Sequence, residues 1–303
     1  METQAQYSDK ELVKQLPGFT SHLITVNNIQ LHYVAGGTGQ PLICLPGWPQ
    51  TWYSFHKVIP ELAKKYTVIA VDIRGMGSSD KPINGYDKKT MAKDIFELIN
   101  KLGIQKAHVL GHDIGGMVAS SFAFNYPQAV DKLILMDGAH PSEAMREMSL
   151  LPMPGTFGDK INDKTPFLWW MAFNQVKELP EQLLEGRFRY LLDWLFSYVM
   201  LDDAKMSDFD REVAAYHYNR PENIRASNAW YQAFEQDIKD MNTYDTLQMP
   251  VLGMASESSY EFMKQGLPYI AKNVKVIKVE GSGHYFNEEN PQAVIDSLLH
   301  FLN

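Results

Sequence analysis

Apolar residues along the chain follow two rhythms. Short β-branched runs alternate with longer stretches in which apolar side chains recur every three or four positions. The first rhythm predicts strands and the second amphipathic helices. Residues 22–26 and 29–34 flank Asn27 and Asn28 and predict a β-hairpin. Residues 41–45 predict a buried strand. Residues 51–65 predict one helix, with Trp52, Phe55, Val58, Ile59 and Leu62 on its apolar face. A strand over 66–71, a helix over 90–102, a strand over 107–110, a helix over 114–125 and a strand over 133–136 follow. Such alternation predicts a parallel sheet with helices on both faces. The opening hairpin suits its antiparallel edge.

The rhythm changes after Gly138. Residues 139–247 show helical patterns and no convincing strand, and they are dense in aromatics such as Phe167, Trp169, Trp170, Trp194, Tyr198, Trp230 and Tyr231. Alternation resumes with strands over 250–254 and 274–279 and helices over 261–271 and 291–302. The expected architecture is α/β, a mostly parallel eight-stranded sheet with an inserted all-helical cap. Residues 1–138 and 248–303 would form the core and 139–247 the cap. Most cap aromatics would form its own core, and some must face the carboxyl edge of the sheet, where open α/β folds bind ligands.

Composition narrows the partners. The chain has 303 residues, 45% of them hydrophobic, enough for one large domain with an insertion. A net charge of −8 argues against nucleic acid and anionic membrane as partners. The single cysteine, Cys44, excludes an internal disulfide and a cysteine-based metal site. Met1 to Gln15 is polar and charged, without a hydrophobic signal segment, and no later run is long enough to span a bilayer. These features lead to the expectation of a soluble cytoplasmic protein, and they admit a homodimer.

The chemistry centres on Gly111-His112-Asp113-Ile114-Gly115-Gly116, between an apolar run and a helical pattern. Strand, Gly-x-nucleophile-x-Gly, helix is the nucleophile elbow, a sharp turn that lifts one side chain above the sheet. A serine there would form an acyl-enzyme. A carboxylate attacking an sp³ carbon forms an alkyl ester of the enzyme itself. Asp113 therefore points to epoxide opening or halide displacement and away from ordinary ester cleavage.

The order nucleophile, acid, histidine places the base late in the chain. His284 is the candidate, in the glycine-rich loop Gly281-Ser282-Gly283-His284 between the last strand and the final helix. Two loops could supply the acid. Asp137 stands at the end of the strand over 133–136, and Glu257 is held in reserve in the loop Ala255-Ser256-Glu257-Ser258-Ser259. Ser259 takes the position where related hydrolases often place an aspartate. Such an acid would orient the imidazole and stabilise its charged form. Two backbone N–H groups should form an oxyanion hole: Ile114, at a helix N-terminus, and Trp48, in the loop Leu45-Pro46-Gly47-Trp48-Pro49.

The elbow, the loop Gly47-Trp48-Pro49-Gln50-Thr51-Trp52-Tyr53 and the run Asp72-Ile73-Arg74-Gly75-Met76-Gly77-Ser78-Ser79-Asp80 together resemble the epoxide hydrolases of the α/β-hydrolase fold. The likeness spans nearly the whole chain from about residue 19. It implies a tyrosine in the cap that donates a proton to the epoxide oxygen, and Tyr231, in Ala229-Trp230-Tyr231-Gln232, matches it. It also implies a second donor near Leu168-Trp169-Trp170-Met171, which aligns with Trp170. An indole N–H can donate a hydrogen bond but cannot deliver a proton. Trp170, with Trp169 beside it, is expected to bind substrate.

Two departures matter. Pro46-Gly47 replaces the usual His-Gly, which a backbone role tolerates. The tryptophan at 170 resembles the fluoroacetate and haloacetate dehalogenases, which share the fold and the Asp-His-Asp set. Those enzymes typically carry arginine after the nucleophile, and haloalkane dehalogenases tryptophan; here the residue is Ile114. The expected reaction is epoxide to vicinal diol on a neutral, mostly apolar small molecule, with no cofactor or metal. A dehalogenase and a ligand-binding hydrolase fold with little turnover are the alternatives.

Overall fold

A computed structural model describes residues 2–148 and 167–303. Eight strands form one sheet: β1 Phe19–Val26, β2 Ile29–Gly36, β3 Gln40–Leu45, β4 Tyr66–Asp72, β5 Ala107–His112, β6 Val130–Met136, β7 Val251–Ala255 and β8 Val274–Lys278. Their spatial order is β1-β2-β4-β3-β5-β6-β7-β8. β1 and β2, and β2 and β4, pair antiparallel, and the remaining neighbours are parallel. The hairpin turn is two residues, Asn27 and Asn28, both at positive φ (44° and 63°). That conformation matches strand twist and favours asparagine over bulkier residues.

Successive residues of the central strands face opposite layers. Ile43 and Leu45 join one apolar cluster, while Leu42 and Cys44 join the other. A sheet covered on both faces requires this apolar continuity. Helices α1 Lys88–Lys101 and α2 Ile114–Asn125 follow β4 and β5. Between β6 and β7 the described residues form α3 Trp169–Phe173, α4 Leu179–Leu184, α5 Phe188–Val199, α6 Asp208–Tyr218, α7 Pro221–Gln232 and α8 Phe234–Met241. No strand occurs among the described residues of this insertion. α9 Tyr260–Ile270 and α10 Pro291–Leu302 complete the fold. No helix among the described residues is long and apolar enough to cross a membrane.

One expected element breaks. Residues 51–65 are not a single helix: a 3₁₀ turn, Trp52–Phe55, is followed by one α turn, Ile59–Leu62. Pro60 is the reason. It has no N–H to continue the ladder and its ring crowds the preceding turn, so the helix must restart with proline in its first turn.

The insertion is tied to the sheet by buried polar contacts. Lys88 donates from its backbone N–H and its ammonium to the two oxygens of Asp237, at 2.7 and 2.8 Å, and its ammonium also reaches the Trp230 carbonyl at 2.8 Å. Both side chains are fully buried. Arg74 grips Asp94 with two bonds of 2.7 Å, and its carbonyl accepts from the Trp230 indole at 2.8 Å. Arg225 donates to the carbonyls of Lys81 and Pro82. These bonds fix α7, and so Tyr231, over the sheet. Lys88→Met, which strands a buried carboxylate, is expected to cost about 3–5 kcal/mol in urea unfolding. Replacing Asp237 by leucine as well should recover most of that loss, because the desolvation of both charges then disappears.

Candidate active site

β5 ends in the elbow. Asp113 lies at φ 50° and ψ −120°, a conformation costly for any residue with a Cβ, held by the bond from its N–H to the Met136 carbonyl at 3.0 Å. The backbones around it are in near contact. A Cβ on Gly47 would lie 2.4 Å from that of Asp113, and one on Gly115 would lie 2.1 Å from the Leu45 carbonyl oxygen. Only glycine allows β3, the loop after it and α2 to close this tightly. Toward their carboxyl ends β5 and β6 pair with His112 opposite Met136, and Met136 lies opposite Met254. The next residues along, Asp113, Asp137 and Ala255, are thereby brought side by side at the carboxyl edge.

The Asp113 carboxylate has two unlike oxygens. Oδ1 accepts from the Trp48 N–H at 2.9 Å, and the Ile114 N–H adds to it in favouring the charged carboxylate. Oδ2 lies 3.7 Å from Nε2 of His284. Burial raises the Asp113 pKa above the usual carboxylate range, while His284 and the two N–H groups act against that rise. The side chains of Asp113 and His284 remain 17% and 21% exposed, so neither is sealed in the core.

His284 lies in the loop before the final helix. Its N–H bonds the Val199 carbonyl at 2.9 Å, and its carbonyl meets Nε2 of His112 at 3.0 Å. Glu289 accepts from the N–H groups of Gly283, Leu201 and Asp202 and pins the same loop to the insertion. Nδ1 of His284 meets Oδ2 of Asp137 at 3.1 Å. The other oxygen of Asp137 accepts from the Ser256 N–H at 2.8 Å and from the Ser259 hydroxyl. Burial alone would raise the Asp137 pKa; the hydrogen bond and charge of His284, with both serines, hold it below the ordinary value. For His284, burial pulls downward, but Asp137 and then Asp113 lift the imidazole above its ordinary pKa. Burial, and then the nearby His284 charge, push His112 down to about 3, so it is a neutral strut beneath the elbow.

Glu257, the reserve acid, faces elsewhere. It pairs with Lys278 at 3.3 Å and accepts from the Gly281 N–H at 3.2 Å. Ser259, where an aspartate was expected in relatives, instead supports Asp137.

Aromatics of the insertion reach the loop after β3. The Tyr231 ring meets the Trp48 ring edge to face at 5.8 Å, and Tyr231 is buried. Burial, followed by the Asp113 charge, holds its hydroxyl protonated far into the alkaline range. Tyr218 and Tyr285 also feel the Asp113 charge, but their hydroxyls are committed to the carbonyls of Gln50 and Trp48. Trp170 is buried in the same apolar cluster as Trp48, Ile114 and Tyr231. Trp169 packs farther out, against Phe173 and Trp194. Ser256 carries no local motif; only the folded arrangement reveals its bond to Asp137.

A family model described as the alpha/beta hydrolase fold matches residues 40–291. The chain belongs to that family. This hydrolase is 33% identical over 299 residues to the soluble epoxide hydrolase of Corynebacterium sp. (strain C12), covering 93% of this chain and 96% of that protein. It is 37% identical over 303 residues to a fluoroacetate dehalogenase of Burkholderia sp, covering 94% of each. Among solved structures, the epoxide hydrolase CorEH without ligand superposes with a TM-score of 0.83 at 32% identity, covering 94% of this hydrolase and 98% of that chain.

Proposed function

We propose that this hydrolase converts a small neutral epoxide to its vicinal diol through an alkyl ester on Asp113, with helices α3 to α8 serving as a cap over the site. The observation that carries the reading is the division of labour on one carboxylate: Oδ1 held by the Trp48 N–H, Oδ2 turned toward His284. In the first step Oδ2 attacks an epoxide carbon, the carbon–oxygen bond breaks, and the freed oxygen takes the proton of Tyr231. In the second step a water attacks the ester carbonyl and His284 Nε2 takes its proton. The charge that develops on Oδ1 is met by the Trp48 N–H, which already bonds that oxygen, with the Ile114 N–H as the second expected donor. Collapse breaks the bond from the carbonyl carbon to Oδ2, and protonated His284 returns its proton to the diol oxygen. The new Asp113 carboxyl then loses its proton and Tyr231 regains one, closing the cycle.

Esterification also retunes the base. The Asp113 charge helps to raise the His284 pKa, and the ester removes that charge. His284 therefore shifts toward its neutral, proton-accepting form at the moment the water must be activated.

A neutral substrate fits the electrostatics. The charged groups acting most strongly on Asp113 are His284 and Asp137, with no lysine or arginine among them. Trp170 and Trp48 would line the apolar wall, with Trp169 behind them. The test is a panel of epoxides and haloacetates scored for diol and released halide. Diol from epoxides is expected; halide release without diol would replace this reading. Tyr231→Phe should slow ring opening by about 10²- to 10³-fold, measured as the rate of ester formation in single turnover. Dehalogenation is the second reading, favoured by the Trp48 indole N–H, which is buried without a partner and is the kind of donor that suits a halide.

A further inference from the structure

Ser259 stands at the N-cap of α9, where a serine side chain ordinarily accepts from an N–H of the first turn. Here it makes no such bond. The hydroxyl turns instead to Oδ1 of Asp137. The same oxygen accepts from the Ser256 N–H at 2.8 Å, while Oδ2 meets Nδ1 of His284 at 3.1 Å. The acid thus gives one oxygen to the loop after β7 and the other to the base. The hydroxyls continue outward. Ser256 Oγ lies 3.0 Å from Ser259 Oγ and 3.3 Å from Ser258 Oγ. An ionised carboxylate only accepts, so Ser259 gives its hydrogen to Asp137. Ser256 then donates to Ser259, which leaves Ser258 to donate to Ser256. Every hydrogen of the chain points toward the acid. Ser256 is fully buried, and hydroxyls aligned in a low-dielectric site polarise one another.

We infer that Ser259 is a positioning residue for the Asp137–His284 pair: its hydroxyl fixes the rotation of the Asp137 carboxylate, so that Oδ2 stays on Nδ1 of the imidazole. This rests on the proposed epoxide reading, in which His284 deprotonates the water that attacks the Asp113 ester. The terminal torsion of an aspartate has a broad energy well, so its rotamer alone does not aim the two oxygens. Two donors on Oδ1, a backbone N–H and a hydroxyl from the same loop, do aim them. With Oδ2 held in place, Nδ1 keeps its hydrogen and Nε2 presents its lone pair on the side of Asp113, 3.7 Å away. The contact depends on strand pairing. Met136 of β6 lies opposite Met254 of β7, so Asp137 and the loop that carries Ser256 and Ser259 emerge side by side. A helix end that forgoes its own cap for a carboxylate on the neighbouring strand gives up local stability for this arrangement.

The experiment uses the full-length protein and a simple epoxide under single-turnover conditions, following ester formation and ester hydrolysis separately. Ser259→Ala is expected to slow ester hydrolysis by about 10-fold, the scale of one hydrogen bond to a charged group. Ester formation should be unchanged, since it draws on the Asp113 carboxylate and the Tyr231 proton. Ser259→Thr keeps the hydroxyl and should restore the parent rate. The decisive arm is the double variant. Ser259→Ala added to Asp137→Ala should cause no further loss, because the hydroxyl then has no carboxylate to aim. A wild-type rate of ester hydrolysis in Ser259→Ala would overturn the inference. So would a threonine variant as slow as the alanine one, losses that multiply in the double variant, or equal slowing of both chemical steps with a lowered melting midpoint. Failure of the wild-type protein to form any ester would instead remove the epoxide reading itself.

Discussion

Asp113→Ala is expected to lower turnover by about 10⁵-fold, the scale on which enzymes lose activity when a covalent nucleophile is removed. No other group in the described site can replace it. Asp137 is engaged by His284, Ser256 and Ser259, and Glu257 is committed to Lys278 and the loop at Gly281. The same substitution should leave the fold intact or stabilise it. The Asp113 pKa is raised in the folded state, chiefly by burial. An acid whose folded pKa lies above its unfolded value destabilises the fold while ionised, and that penalty disappears as pH falls through the folded pKa. Denaturant midpoints for Asp113→Ala should therefore equal or exceed the parent at neutral pH, with the difference shrinking in acid. A destabilised variant would show that Asp113 is held as a structural ion pair.

His284→Gln separates the two chemical steps. Ester formation needs the Asp113 carboxylate and the Tyr231 proton but not the imidazole. Ester hydrolysis needs a base for water. The variant should take up one equivalent of epoxide, gain that mass on the peptide containing Asp113, and then turn over about 10⁴-fold more slowly than the parent. Intact-mass and peptide-mass spectrometry read this directly. Protein that binds ligand yet stays unmodified would favour a receptor over an enzyme. In the parent, the pH dependence should differ between states. The free enzyme holds His284 protonated to higher pH than usual, because Asp137 and Asp113 outweigh burial. The ester lacks the Asp113 charge, so the acid limb of ester hydrolysis should lie below the pH at which the free imidazole titrates by NMR.

Much of this could be read from local pattern, because the elbow is a local object. An apolar run, Gly-x-Asp-x-Gly and a helix specify a sharp turn whatever surrounds it, and the structure has β5, Asp113 and α2 within a residue or two of that expectation. The loop histidine was legible from its place between the last strand and the last helix. The acid was less so, because choosing between Asp137 and Glu257 requires knowing which strand end lies beside β5. The pairing of β5 with β6 at their carboxyl ends supplies that, and pairing between strands is a tertiary property. Residues 51–65 looked helical because their apolar spacing is helical, but the backbone consequence of Pro60 outweighed the pattern.

The central claim is that an oxygen of Asp113, not a water, first joins the carbon of the substrate. The most direct measurement is one turnover in H₂¹⁸O with enzyme in excess over epoxide. Attack by Asp113 predicts a first-turnover diol with no heavy oxygen, since its oxygens come from the epoxide and from the carboxylate, and ¹⁸O recovered in the peptide carrying Asp113. Heavy oxygen in that first diol, with an unlabelled Asp113, would mean that water attacks the ring directly and would contradict the account.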